Sequence, residues 1–174
     1  EEVQNAREIL QADQDDSVNR MRSLPLVAEY EAHRLKTYTA DKNAEWKVKR
    51  MTEQEMLEAS KTSETILKEI TFNPNSGPQL QHLIYTQLGL PVIDYTDTKQ
   101  PATGKDTLKK LKNHTQDKDV LQFLDALIDY TDVTIILSIF IPAFERSVQG
   151  PDGWYYLFGN FNLGGTISGR LSSN

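Results

Sequence analysis

Cysteine is absent from the 174 residues, which excludes disulfide frameworks, thiolate metal sites and cysteine nucleophiles together, and fits a reducing, cytoplasmic setting. Histidine is scarce: His33, His82 and His114 lie far apart in the sequence, and none stands at metal-ligand spacing from another. There is no unbroken apolar run of the roughly 18 residues a bilayer needs. The acidic first residues have neither the basic nor the apolar region of a signal peptide, so no membrane partner is expected. No serine sits in a Gly-x-Ser-x-Gly elbow, and Gly164, Gly165 and Gly169 have neither phosphate-loop nor dinucleotide spacing. Positive charge is also short. A net charge of −6 excludes a protein that coats nucleic acid over its whole surface, because such affinity comes largely from neutralising phosphates, so any such contact must be local.

What is present has the makings of a globular core, with 38% hydrophobic and 25% charged residues. Val3, Ala6, Ile9 and Leu10 form a short helical stripe that ends at the Gln14–Asp16 run, so residues 1–20 read as a solvated connector helix. Leu26, Val27, Tyr30 and Leu35 follow at helical spacing, with Pro25 where a first turn tolerates it, giving a helix within residues 21–38. A long stretch from Asp41 to Ile70 has neither Gly nor Pro, and Met56, Ala59, Ser63, Ile66, Leu67 and Ile70 step along one helix face. The clearest helix start is Ser76-Gly77-Pro78-Gln79. Ser76 can cap, Pro78 needs no donor in the first turn, and Gln79 can complete a capping box. Leu80, Leu83, Ile84, Gln87 and Leu88 fill its apolar face, and Gly89 with Pro91 ends it. A loop over 92–104 leads to a short helix with Leu108 and Leu111 inward. A second long helix runs from Asp119 to near Pro142 through Val120, Phe123, Leu124, Leu127, Ile128, Ile135, Ile136, Ile139 and Phe140. Gln149–Gly153 is a turn cluster, and extended structure follows it. The expected class is α+β and predominantly helical, with long antiparallel helices followed by short strands.

Two polar groups are candidates for binding. Lys99, Lys105, Lys109, Lys110, Lys112 and Lys118 against Asp106 and Asp117 give six minus two, a local +4 in an acidic chain. These lysines could meet phosphates as point charges, and a solvated helix face accounts for the same residues. Asn73, Asn75 and Ser76 stand just before the strong helix, where unpaired amides attract anions; capping and turn formation alone also explain them. No histidine or carboxylate constellation marks an active site.

The C-terminal run Gly165-Thr166-Ile167-Ser168-Gly169-Arg170-Leu171-Ser172-Ser173 closely resembles the first polymerase motif of family A DNA polymerases, Thr-x-Thr-Gly-Arg-Leu-Ser-Ser. Phe161-Asn162 falls where the family has Phe-Asn or Tyr-His. Upstream, Thr71-Phe72-Asn73-Pro74-Asn75-Ser76 with Gln79-Leu80 and Leu88-Gly89-Leu90-Pro91 resembles the thumb segment Phe-Asn-x-Asn-Ser-x-x-Gln-Leu…Leu-Gly-Leu-Pro, and Asp129-Tyr130 fits the Glu/Gln-Tyr-Arg position. The two matches occur in family order, the resemblance covers about residues 21–174, and its style is that of tailed-bacteriophage polymerases.

The resemblance implies a thumb over residues 39–150 that closes on the minor groove of primer-template DNA, and the first palm strands over 151–174. The arginine matching Arg170 reads minor-groove geometry at the primer terminus, with Thr166 and Ser172 beside it. The groove acceptors there are common to all correct pairs, so a guanidinium reads shape without sequence. Asn73, Asn75 and Ser76 match backbone contacts, and Thr103 with Lys105 matches the thumb tip. The catalytic carboxylates of the family, which hold Mg2+, lie downstream of Asn174, so this segment is expected to have no cofactor of its own and not to polymerise alone. Its partners would be primer-template DNA and the remainder of the polymerase; no processivity partner is identified. Departures weaken the expected grip. Ile135 and Leu137 stand where lysines are common, Asp94 and Asp97 stand at the thumb tip, and no Gly-Asp pair ends the first helix near Arg34–Tyr38. The apolar Ile135, Leu137 and Ile139 also fit a second reading, a non-catalytic helical interaction or scaffolding module derived from a polymerase, unless the thumb core simply buries them.

Overall fold

The computed structural model describes residues 2–49, 52, 70–158, 161–162 and 172–173. Its contacts divide the chain into two compact units, Gln14–Thr131 and a second made of Glu1–Asp13 with Asp132–Asn174. The architecture is α+β and predominantly helical, as the sequence pattern predicts.

Helix α1 covers Glu2–Arg22 and runs straight through the Gln14–Asp16 run, so that polar stretch does not end it. The acidic run is tolerated because Asp16 pairs with Arg20 one turn on, at 3.0 Å. Its C-terminal part also has an inward side, with Ser17 and Met21 buried. Helix α2, Pro25–Lys49, begins at the predicted proline and continues past residue 38 without a break. The helix face expected from Met51 to Leu67 lies outside the described residues.

Helix α3, Gly77–Gln81, widens into a π-helical segment over His82–Gln87. It stops at Gly89, whose φ of +65° lies in the left-handed region that costs an L side chain about 1 kcal/mol or more. The predicted capping box does not form. Ser76 makes no side-chain cap, and its own amide donates to the Asn73 carbonyl at 2.9 Å. The Gln79 amide oxygen is therefore drawn to the backbone N–H of Asn73 instead, at 2.9 Å.

Helix α4, Lys105–Leu111, buries Leu108 and Leu111 as predicted and ends in a 3-10 turn over Lys112–His114. Helix α5, Lys118–Ile135, turns Val120, Phe123, Leu124, Leu127 and Ile128 into the core of Gln14–Thr131. There they meet Met21, Val27 and Tyr30 from the α1–α2 corner, and Phe72, Leu83 and Ile84. Phe72 is the aromatic centre of this core, edge-on to Tyr30 at 6.1 Å between centroids and tilted to Phe123 at 5.7 Å.

Beyond Ile135 the helical run reaches Pro142 and ends close to it, at Glu145. A proline has no N–H and crowds the carbonyl four residues back. The chain accommodates it with a wider π-helical turn over Ile136–Phe140, then places Pro142 in the first turn of α6, Ile141–Glu145, where no donor is needed. Ile135, Ile136, Ile139, Phe140 and Phe144 are exposed, so simple burial does not account for this apolar stretch. By length and composition alone, Lys118–Glu145 is apolar enough to cross a membrane. One such helix is weak ground for a span, and Asp125, Asp129 and Asp132 within it would each cost about 2.5–3.5 kcal/mol at a bilayer centre.

In the unit containing the C-terminal residues, Arg7 forms a two-pronged pair with Glu145 at 2.6 and 2.9 Å. Strands β1, Val148–Gln149, and β2, Tyr155–Tyr156, make the hairpin that the Gln149–Gly153 cluster predicts, in register Val148↔Tyr156. Gly153 turns it with φ of +83°, and a Cβ on Gly150 would strike the Tyr156 ring. Strands β3, Phe161–Asn162, and β4, Ser172–Ser173, pair antiparallel with Asn162 opposite Ser172.

Candidate nucleic-acid interface

The segment from Phe72 to Ser76 is held by a complete set of backbone bonds. The Phe72 amide donates to Glu31 of α2 at 2.7 Å, and the Asn73 amide to Gln79. The Asn75 amide donates to the side-chain oxygen of Asn73 at 2.9 Å, and the Ser76 amide to the Asn73 carbonyl. Pro74 has no donor to satisfy, so every amide of the segment is bonded within the protein. Phe72 and Pro74 are buried, Asn73 and Asn75 are exposed, and the turn therefore presents two asparagine tips from a fixed frame.

Those bonds also settle which groups point outward. The side-chain oxygen of Asn73 is taken by Asn75, so its NH2 remains, with no partner among the described residues. Asn75 donates one amide proton to the Tyr130 hydroxyl at 2.7 Å and keeps a second. Ser76 keeps its hydroxyl uncapped. The outward face is thus mainly donors, which suits an anion.

The lysine patch looks different once folded. Lys110 binds Asp94 at 2.8 Å and Lys112 binds Asp125 at 2.5 Å, so two of the six counted cations are neutralised. Asp94, read in the sequence as an anion at the thumb tip, also accepts from the Thr107 hydroxyl at 3.0 Å and ties the 92–104 loop to α4. The hydrogen bond from Lys110, then that from Thr107, holds its carboxyl below the ordinary value. The Tyr85 hydroxyl anchors the same loop by donating to the Ala102 carbonyl; burial first, then the Asp94 charge, pushes its pKa up. Thr103 is half-buried beside that anchor, and Lys105 begins α4 after Gly104.

The structure brings Asn73, Asn75 and Ser76 together, and Thr103 with Lys105 at the start of α4. Thr166 and Arg170 lie outside the described residues, and Ser172 is described only through its β4 pairing with Asn162. One residue that sequence reasoning passed over, Arg22, lines a cleft of about 400 Å³ with Val18, Thr71, Asn73 and Tyr130. Its only sequence signal is a basic residue in the last turn of a helix. His33 of α2 and His82 after α3 are far apart in sequence yet stack at 5.9 Å, because α2 packs along that helix, and His82 Nδ1 is buried with no hydrogen-bond partner among the described residues. Among the described residues no group of three His, Cys, Asp or Glu could hold a metal ion.

Hydrogen bonds at the second turn have their own logic. The Tyr156 hydroxyl donates to Asp152, which lowers the Asp152 pKa and raises that of Tyr156.

Comparison with known proteins supplies the remaining evidence. The chain is 28% identical over 102 residues to a DNA polymerase of Bacillus phage SP01, covering 59% of this chain and 10% of that protein. It is 30% identical over 104 residues to the thermostable DNA polymerase I of Thermus thermophilus, covering 59% of this chain and 12% of that one. The chain thus spans about a tenth of the length of the curated relatives it matches. Among solved structures it is similar to the POL domain of Pol1 from M. smegmatis in complex with DNA primer-template and dNTP. That likeness is 20% identical, covers 96% of this chain and 22% of that one, and has a TM-score of 0.47. The family model for DNA polymerase family A matches residues 42–174, which takes in both the Phe72–Ser76 turn and the Gly165–Ser173 run, and the chain belongs to that family.

Proposed function

We propose that this segment holds primer-template duplex for a DNA polymerase that extends primers by nucleotidyl transfer. One observation carries the reading: in the Phe72–Ser76 turn every amide is consumed internally, while side-chain donors of Asn73, Asn75 and Ser76 are left facing out. Phosphate oxygens are acceptors only, so such a face complements a nucleic-acid backbone and carries no sequence preference. Thr103 and Lys105 would add a contact from the 92–104 loop and α4. Arg170, Thr166 and Ser172 would read the minor groove at the primer terminus, as the resemblance implies.

The chemistry belongs to the longer polymerase. The described residues do not fit a Mg2+ site, having no suitable cluster of carboxylates, and no catalytic step is assigned to them. The chain alone should therefore bind duplex and extend no primer.

The test is titration of the 174-residue chain with primer-template duplex and with single strand at several salt concentrations. Duplex should bind more tightly, added salt should weaken it, and Asn75→Ala and Arg170→Ala should each reduce it. Equal binding of both DNAs, unmoved by either substitution, would overturn the reading. The exposed Ile135, Ile139 and Phe140 favour the alternative of a helical interaction module. A monomer that captures no protein partner leaves that alternative without support.

A further inference from the structure

The Asn73 face borders a cleft whose cation has no counterpart in the motif. Arg20 and Arg22 are two residues apart on α1, so about 200° separates their directions. Arg20 is engaged within the protein, with Asp16 at 3.0 Å, Asp129 at 2.9 Å and the Ser17 hydroxyl at 3.0 Å. Arg22 shares the face of Val18, one turn earlier, and lines the cleft with it. Among the described residues Arg22 has no ion-pair or hydrogen-bond partner, and no carboxylate lines the cleft. The walls are Val18, Phe72 and Pro74 on the apolar side and Thr71, Asn73 and Tyr130 on the polar side. A helix C-terminus ordinarily repels anions through its free carbonyls. Here the Asn19, Arg20 and Met21 carbonyls accept from the Ser23 amide, the Ser23 hydroxyl and the Leu24 amide.

We propose that Arg22 is a phosphate-binding residue, taking a backbone phosphate of the bound duplex in this cleft, with the Asn73 NH2 beside it and the apolar wall against the deoxyribose. The inference rests on the duplex-binding reading and deepens it: it names a cation where the donor face has none. A guanidinium suits the role because its fork matches phosphate oxygens two at a time.

The experiment is fluorescence anisotropy of labelled primer-template duplex with the full 174-residue chain, repeated across salt concentrations. Arg22→Gln should weaken binding by about tenfold near 0.1 M salt and lower the slope of log K against log salt by about one. Arg22→Lys should restore the slope and only part of the affinity. Thr71→Glu, which sets a carboxylate in the cleft without touching Arg22, should weaken binding in the same direction. Because Arg22 is exposed, the thermal midpoint of Arg22→Gln should match that of the unaltered chain. Unchanged affinity and slope in Arg22→Gln, with Asn75→Ala still weakening binding, would overturn this inference and leave the duplex reading standing. A failure of the unaltered chain to bind duplex would overturn both.

Discussion

The Phe72–Ser76 turn and the lysine patch from Lys99 to Lys118 contrast in how charge and donors are used. By count, the patch is the cationic feature of an acidic chain. In the fold, Lys110 and Lys112 are spent on Asp94 and Asp125, holding a loop and a helix in place. The turn carries no formal charge, yet its backbone amides and the Asn73 side-chain oxygen are used up within the protein and side-chain NH2 donors are left outward, beside Arg22, which has no ion-pair partner among the described residues. What a surface offers to a phosphate is the charge and donors left after the protein has satisfied itself, and that remainder is invisible to counting.

The contrast is broken most severely by removing what fixes the turn. Phe72→Ala should cost about 3–5 kcal/mol in urea unfolding, because it empties the site between Tyr30 and Phe123, and duplex affinity should fall with it. Gln79→Ala leaves the Asn73 amide without its acceptor and should cost about 1–3 kcal/mol. That loss would show in the same unfolding curves and as faster exchange of the Asn73 amide proton.

The patch side gives smaller effects. Asp94→Asn should release Lys110 and tighten duplex binding a few-fold, with the salt slope rising by up to about one, whereas Lys110→Ala in the unaltered background should leave the slope unchanged. Smallest is a pH effect on the loop. The Asp94 pKa is depressed in the folded chain, so its anchoring is present above the ordinary carboxylate value and is lost as pH falls through the depressed one. NMR titration should place the Asp94 carboxyl below the ordinary aspartate value, and Lys110→Ala should move it upward.

Much of the frame was legible in the sequence because it is local. Pro25 starts α2, Pro78 sits in the first turn of α3, Gly89 ends that helical run, and the apolar period of Val120–Ile128 points at the core. What failed depended on competition or on distance. Gln79 had two backbone donors within reach; the Asn73 carbonyl took the Ser76 amide, and Gln79 accepts from the Asn73 amide instead. The helix end near Pro142 was legible, but not the π-helical turn that carries the chain through the proline to Glu145. The exposure of Ile135 and Ile139, the His33–His82 stack and the Arg22 cleft all depend on which elements pack together, which spacing along the chain does not encode. Asn73, Asn75 and Ser76 were legible both as a polar group before a helix start and by resemblance, but the sequence pointed to free backbone amides, whereas the hydrogen bonds use those amides internally and leave side-chain donors outward.

The most direct measurement is the NMR response of the side-chain amides and lysine ammonium groups as primer-template duplex is added to the chain. The account predicts that the Asn73 and Asn75 amides move first and furthest while Lys110 and Lys112 stay with Asp94 and Asp125. Shifts concentrated at Lys110 and Lys112, with both asparagines unmoved, would contradict it.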